Sequence, residues 1–305
     1  MQTILGSGGA IGYELAKDLP KYTESIRLVS RNPRKVNPDD ELVSADLTDE
    51  KQTMNAVAGS DVAYLTAGIQ YKTTAWQEQW PVIMTNVIRA CEKHSTKLVF
   101  FDNVYLYGKV AGWMTEETPV RPVSKKGEVR ARIAEQLMNE VKDGNIQALI
   151  ARSADFYGSR AKTSIAIPMI FQRLKDGKKA QWLVNDKVRH SFTYTPDAGK
   201  ATALLGNTEE AYGQVWHLPT DRNALTGEEF IREVAKAYDV EPRHSVFSPF
   251  IIKLGGLFDP MAKESVEMLY QLESDYLFDS SKFEKQFFSP TPYKKGIEEI
   301  RKELG

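Results

Sequence analysis

Residues 3–12 read Thr3-Ile4-Leu5-Gly6-Ser7-Gly8-Gly9-Ala10-Ile11-Gly12. Thr3–Leu5 is a short apolar strand, and a helical pattern ending near Leu19–Pro20 follows the glycines. Glycine at 6, 9 and 12 gives G-x-x-G-x-x-G between strand and helix. A pyrophosphate needs such a turn, because it must approach the backbone more closely than a β-carbon permits. Its charge then rests on unpaired N–H groups at the helix N-terminus. Glycine triplets also serve plain tight turns, so the setting decides the reading. Strand, turn, helix and a suitable acceptor after the next strand point to a dinucleotide. Gly6, Ser7, Gly8, Gly9, Ala10, Ile11 and Gly12 are the expected cradle.

That next strand is Ile26–Ser30, and it ends in Ser30-Arg31-Asn32. A site selective for NAD usually places a carboxylate here to bind both ribose hydroxyls. A hydroxyl beside a guanidinium suits a 2′-phosphate instead. NADP is therefore expected over NAD, while Arg34 and Lys35 read as solvated loop charges. The third strand, Leu42–Ala45, ends in Asp46-Leu47, placed either to meet the adenine edge or to start a helix. Thr48 is the expected N-cap of that helix, which carries Met54, Val57 and Ala58. The fourth strand, Val62–Ala67, ends in Thr66-Ala67-Gly68, small residues that let the chain pass under a cofactor or simply turn.

Trp76, Trp80, Ile83, Met84, Val87 and Cys91 then recur at helical spacing and predict a long helix with a buried stripe. Leu98–Phe101 and Ala148–Ala151 are the fifth and sixth strands. Between them Val129, Ile133, Leu137 and Val141 mark a helix that Asp143-Gly144-Asn145 stops. Strands separated by helices of this length predict right-handed βαβ units and a parallel sheet. The expected fold is α/β, a doubly wound Rossmann-type sheet over 1–160, with a smaller α/β substrate-binding portion over 161–305. In that portion, helices are expected near Ile165–Lys175, Pro196–Leu205 and Gly227–Tyr238. Gln181–Val184, Arg189–Tyr194 and Gln214–Leu218 read as strands, and Thr226 with Glu229 as a capping box.

With 42% hydrophobic residues the chain can bury a real core. A net charge of −1, with the two signs interleaved, argues against nucleic acid or a membrane as partner. One cysteine, Cys91, excludes an internal disulfide, and no Cys/His cluster suggests a metal. No apolar run reaches transmembrane length. The expectation is a cytoplasmic protein with a small-molecule substrate. The helix bearing Trp76 and Trp80 suits a homodimer interface as well as an internal core.

Taken together these motifs resemble the extended short-chain dehydrogenase/reductases, also called the NAD-dependent epimerase/dehydratase family. The markers are the Gly6–Gly12 turn, Asp46-Leu47, Asn86, Val104-Tyr105-Leu106-Tyr107-Gly108, Arg152-Ser153-Ala154-Asp155-Phe156-Tyr157-Gly158 and Phe192-Thr193-Tyr194-Thr195-Pro196-Asp197. The resemblance implies that Asn86, Asp102, Ser153, Asp155 and Phe156 flank the cofactor. It also implies a Ser or Thr that orients substrate, and a Tyr-x-x-x-Lys pair on one helix face for acid/base work. This chain departs from that pattern. The hydroxyl position holds Asn103, and the helix reads Ser124-Lys125-Lys126-Gly127-Glu128-Val129-Arg130-Ala131-Arg132, without tyrosine. Lys126 and Arg130 keep the four-residue spacing. Arg130 is a candidate for the nicotinamide ribose and Lys126 for the acid, against the plainer reading of a solvated basic helix start. Tyr105 is the preferred substitute acid, ahead of Tyr107 and Tyr71. Trp76, Trp80 and His190 read as packing.

Three functions follow. The first is an NADP-dependent oxidoreductase or epimerase acting on a small carbonyl or alcohol, with a non-standard site. The second is a catalytically inactive NADP-binding sensor. The third, a ligand-free scaffold, makes the glycine turn and Arg31 coincidental. Arg31 and the missing tyrosine argue against a sugar-nucleotide epimerase.

Overall fold

The computed structural model describes all 305 residues. Seven strands form the central sheet: β1 (Gln2–Leu5), β2 (Ile26–Ser30), β3 (Glu41–Ser44), β4 (Val62–Leu65), β5 (Lys97–Asn103), β6 (Ala148–Ser153) and β7 (Val215–His217). Their order is β7-β6-β5-β4-β1-β2-β3, with every pairing parallel. Five helices cover it: α1 (Ala10–Asp18), α2 (Glu50–Val57), α3 (Thr73–His94), α4 (Lys125–Lys142) and α5 (Thr195–Gly206). This is the expected doubly wound Rossmann-type sheet.

Alternation along β1 shows why both faces are apolar. Leu5 joins the core beneath α2, α3 and α4, with Trp76, Trp80, Ile83, Val87, Ile133 and Leu137. Ile4 joins the opposite core with Leu15 of α1, Ala198 and Ala201 of α5, and Trp216 of β7. The tryptophans and Cys91 are thus packing residues, and burial pushes the Cys91 thiol up to about 12.

Strand order reverses between β1 and β4, so the loops leaving them diverge and open a crevice at the carboxyl edge. The chain also crosses back into this half late. Both β7 and α5 lie beyond residue 190, and Gln2 Nε2 donates to Asn207 Oδ1 at 2.6 Å. A third core unites Phe171, Trp182, Phe192, Tyr293 and Ile297 with Phe230, Ile231 and Val234 of α6 (Gly227–Ala237). The Thr226/Glu229 capping box at its start is formed.

Several local expectations need correction. Asp49, not Thr48, caps α2, accepting from Gln52 N. Residues 167–171 form a π-turn before a short helix at Gln172–Lys175; Pro168 cannot donate to the normal ladder there. The run 189–194 breaks at Ser191. Arg189–His190 pairs antiparallel with Leu225–Thr226, whereas Phe192–Tyr194 pairs parallel with Asp155–Tyr157. Two further short helices, α7 (Pro249–Gly255) and α8 (Pro260–Ser265), precede a 3-10 stretch at Val266–Leu272, and α9 (Tyr293–Leu304) closes the chain.

Candidate dinucleotide site and the helix beside it

Gly6 has φ +104°, and a β-carbon there would stand 2.3 Å from Ala67 Cα. Thr66 and Ala67 therefore pass directly against the turn, as their small size suggests. At Gly12 a β-carbon would meet Ser7 Cα at 2.8 Å, so this glycine lets the helix close on its own turn. Gly9 differs: the nearest atom to a β-carbon is Gly6 O at 3.7 Å, and Gly8 faces open space. The turn is packed on its inner side and clear on its outer one. It is anchored by Gly6 N and Ser7 N donating to Val29 O at 2.8 and 3.1 Å. Gly9 offers α1 no side-chain cap, and no acid occupies the first turn. These N–H groups remain for an anion. Ser7 and Ile11 are buried and Ala10 half-buried.

At the end of β2, Ser30 Oγ is buried and has no hydrogen-bond partner, while Arg31 and Asn32 are exposed beside it. Asp46 is exposed and accepts from Thr48 N at 2.9 Å and Thr48 Oγ1 at 2.8 Å. Those bonds, from the backbone first, hold its carboxyl below the usual range. Its side chain thus shapes the turn into α2. Leu47 is buried, and Asn86 Nδ2 donates to its carbonyl at 3.0 Å, so Asn86 fixes this loop from α3. Thr66 is buried and Gly68 exposed.

The helix expected to carry an acid/base pair is α4, capped by Ser124. Lys126 is fully buried and not a solvated helix start. Its Nζ lies 2.7 Å from Glu267 Oε1, 2.8 Å from Glu264 Oε2 and 3.0 Å from both Thr73 Oγ1 and Glu264 O. The Tyr71 ring lies 4.6 Å away. Glu264 also accepts from Thr73 N at 2.7 Å, and Glu267 from Lys125 N at 2.7 Å. Burial pushes the Glu264 carboxyl up, but bonds from Lys126 and Thr73 outweigh it and hold it at about 2. Two acids from the second half thereby clasp the N-termini of α3 and α4.

Arg130, one turn on, is also consumed. Its Nε donates to Asp102 Oδ1 at 2.7 Å and its guanidinium stacks 4.5 Å from the Trp80 ring. Asp102 is buried and takes Arg152 Nε on its other oxygen at 3.0 Å. Arg152 continues to Tyr107 Oη at 2.7 Å, and Tyr107 to His217 Nε2 at 2.7 Å. Burial, then the Arg152 charge, drives the His217 imidazole well below its ordinary range, so it stays neutral. Tyr107 is a buried link in this chain.

Asn103 is half-buried. Its Oδ1 accepts from Tyr105 N at 3.1 Å, which leaves the amide nitrogen free. Tyr105 stacks on Trp76 at 6.1 Å, and burial holds its hydroxyl well above the ordinary range. Asp155, on the short strand Asp155–Tyr157, accepts from His190 Nε2 at 2.9 Å. Burial first, and to a lesser degree the Asp155 charge, raises the hydroxyls of Tyr71, Tyr105, Tyr270 and Tyr276. His190 is buried between Phe192 and Tyr276, with Nδ1 unpartnered. Ser153 is buried with Oγ on Ala154 O, and Phe156 packs on Phe101.

Sequence reasoning missed Glu264, Glu267, Thr73 and Arg152. Nothing in the local pattern of the two glutamates separates them from surface acids. Arg152 was inside a recognised segment, but its partners lie on other strands.

Residues 3–218 match the NAD dependent epimerase/dehydratase family. The chain belongs to that family. No curated protein sequence matches it. Among solved structures it is similar to a double mutant of the dTDP-glucose 4,6-dehydratase of Streptomyces venezuelae, solved with NAD bound. The TM-score is 0.81 at 15% identity, covering 99% of this chain and 96% of that one. The UDP-glucose 4-epimerase of Thermus thermophilus in complex with NAD gives 0.80 at 16% identity, covering 100% and 99%. The UDP-N-acetylglucosamine 4-epimerase of Bacillus cereus gives 0.78 at 17% identity, covering 100% and 96%. At such identities the likeness shows the fold.

Proposed function

We propose that the protein binds a nicotinamide dinucleotide, NADP in preference to NAD, and acts as an oxidoreductase or epimerase on a small carbonyl or alcohol. The observation that carries this is the glycine turn, packed against Ala67 inside and clear of side chains outside, at the uncapped start of α1. The orphaned Ser30 Oγ and the exposed Arg31 are the further features that fit a 2′-phosphate. Gly6–Gly12 would hold the pyrophosphate, and Thr66-Ala67-Gly68 would run beneath it. A bound nicotinamide supplies a hydride donor or acceptor.

The chain's own contribution is then positioning and proton handling. Asn103 presents a free amide N–H to a substrate oxygen. Lys126, with its donors all directed at carboxylates, a hydroxyl and a carbonyl, serves to fix the 264–267 segment. Tyr105, with its hydroxyl held protonated, is a donor of hydrogen bonds. The Asp155–His190 pair, with Tyr276 stacked on the imidazole and Asp155 partly open to solvent, is the remaining place to exchange a proton.

The engagement of both Lys126 and Arg130 favours a second reading, a sensor that binds the dinucleotide without turnover. Calorimetric titration with NADP, NADPH, NAD and NADH tests the shared foundation, and a carbonyl screen with the preferred reduced form separates the two. Binding without turnover on any carbonyl supports the sensor; binding of none of the four removes both.

A further inference from the structure

The stretch Ser248-Pro249-Phe250-Ile251-Ile252-Lys253-Leu254-Gly255-Gly256-Leu257-Phe258-Asp259-Pro260-Met261 is inverted relative to a normal surface segment. Phe258 is 86% exposed, Phe250 75% and Leu257 74%, with Ile251, Leu254 and Met261 also turned outward. Only Ile252 reaches inside. Isolated exposed apolar residues are ordinary, but six within twelve positions form a patch of the kind that marks an interaction surface.

Most of the acids of the same region are drawn away from this face. Glu264 and Glu267 point inward to Lys126. Asp259 is turned to its own helix, accepting from Met261 N at 2.8 Å. Lys253 and Lys263 are exposed and unpaired. Gly256 lets the backbones of the two helices meet here: a β-carbon on it would stand 3.0 Å from Lys263 Cα and 3.3 Å from Lys253 O. The outer surface is therefore aromatic and aliphatic at its tip, with two free ammonium groups beside it against one exposed carboxylate, that of Asp259.

We propose that Pro249–Met261 is a docking surface for an anionic lipid membrane, entered to interfacial depth by Phe250, Leu257 and Phe258. An apolar tip partitions into the acyl boundary, while lysines stay at the headgroups and meet their charge. A second copy fits less well. A second patch brings one carboxylate, Asp259, to two lysines, so a twofold contact would leave an ammonium group unpaired on each side. No helix is long and apolar enough to cross a membrane, so attachment is peripheral. The expected absence of a membrane partner rested on charge averaged over the whole chain, which hides this local sorting.

The test is co-sedimentation of the full chain with vesicles of phosphatidylcholine alone or mixed with phosphatidylglycerol, alongside light scattering for oligomeric state. The bound fraction should be about tenfold higher on the anionic vesicles and fall with added salt. Phe258→Asp with Leu257→Asp should abolish binding to both without lowering Tm, since neither side chain packs inside. Lys253→Glu with Lys263→Glu should remove only the preference for anionic lipid. Failure of the unaltered chain to bind either vesicle overturns the proposal. So does a dimer that Phe258→Asp converts to monomer while vesicles remain unbound.

Discussion

Gly6 lies so close against Ala67 that a β-carbon on residue 6 would stand 2.3 Å from the Ala67 α-carbon, whereas Gly9 has no neighbour within 3.7 Å. Two glycines of one motif thus answer to different demands. Gly6→Ala should destabilise the fold by about 2 kcal/mol or more, since positive φ and a backbone clash add. Gly9→Ala should leave Tm unchanged and weaken dinucleotide binding about tenfold or more. Thermal melts with and without dinucleotide decide it; equal effects of the two changes would contradict the assignment.

Arg31 has no role in the core, so its replacement should read out in the ligand alone. Arg31→Asp should weaken NADP by about 100-fold, the range of a lost charge-assisted hydrogen bond plus repulsion. NAD should change by no more than about threefold. Calorimetry on both cofactors checks this, and equal losses would return the preference to NAD.

Lys126→Met leaves two acids facing each other without a cation. The expected loss is about 3 kcal/mol, or a Tm lower by several degrees. Glu264 gives the pH signature. Its carboxyl is depressed from an ordinary 4.5 to about 2, so its stabilisation is fully present above about 4.5 and is lost as pH falls toward 2. Denaturation between pH 5 and about 2 should show this slope in the parent protein and a shallower one in Lys126→Met.

Asp102→Asn strands the buried guanidinium groups of Arg130 and Arg152, and should cost about 3–5 kcal/mol. Asn103→Ala, at the next position, gives up a single bond to Tyr105 N, worth about 1 kcal/mol. On a turned-over carbonyl it should lower kcat with dinucleotide affinity unchanged. Urea denaturation of the pair separates the two positions by stability alone.

Six strands of the central sheet were readable as short apolar runs, most of them set apart by helices; β7 reads as a strand of the second half, and only its pairing with β6 puts it in the sheet. Trp76 and Trp80 were legible from their helical spacing. The 189–194 run was not. Its break at Ser191 is set by partners 35 residues on one side and 37 on the other, which no local pattern encodes. Around Lys126 the helix start looked solvated because its sequence is basic. What buries it arrives from residues 264 and 267, in a segment whose own pattern is unremarked. Arg31 and the glycine turn lay within one local unit, whereas the Asp102 network draws on three strands.

The late return of the chain bears on synthesis. Strand β7 edges the sheet beside β6, α5 covers the face where Ile4 and Leu15 lie, and Asn207 bonds to Gln2. A nascent chain that has released only its first 160 residues holds a six-stranded sheet with one face covered by α1 alone and β6 still without its outer partner. Such an intermediate invites chaperone capture or edge-to-edge aggregation. The core around Ile4 is completed only after residue 217 has cleared the ribosome. Synonymous changes that slow translation between residues 160 and 217 should therefore lower soluble yield without altering any residue of the finished protein.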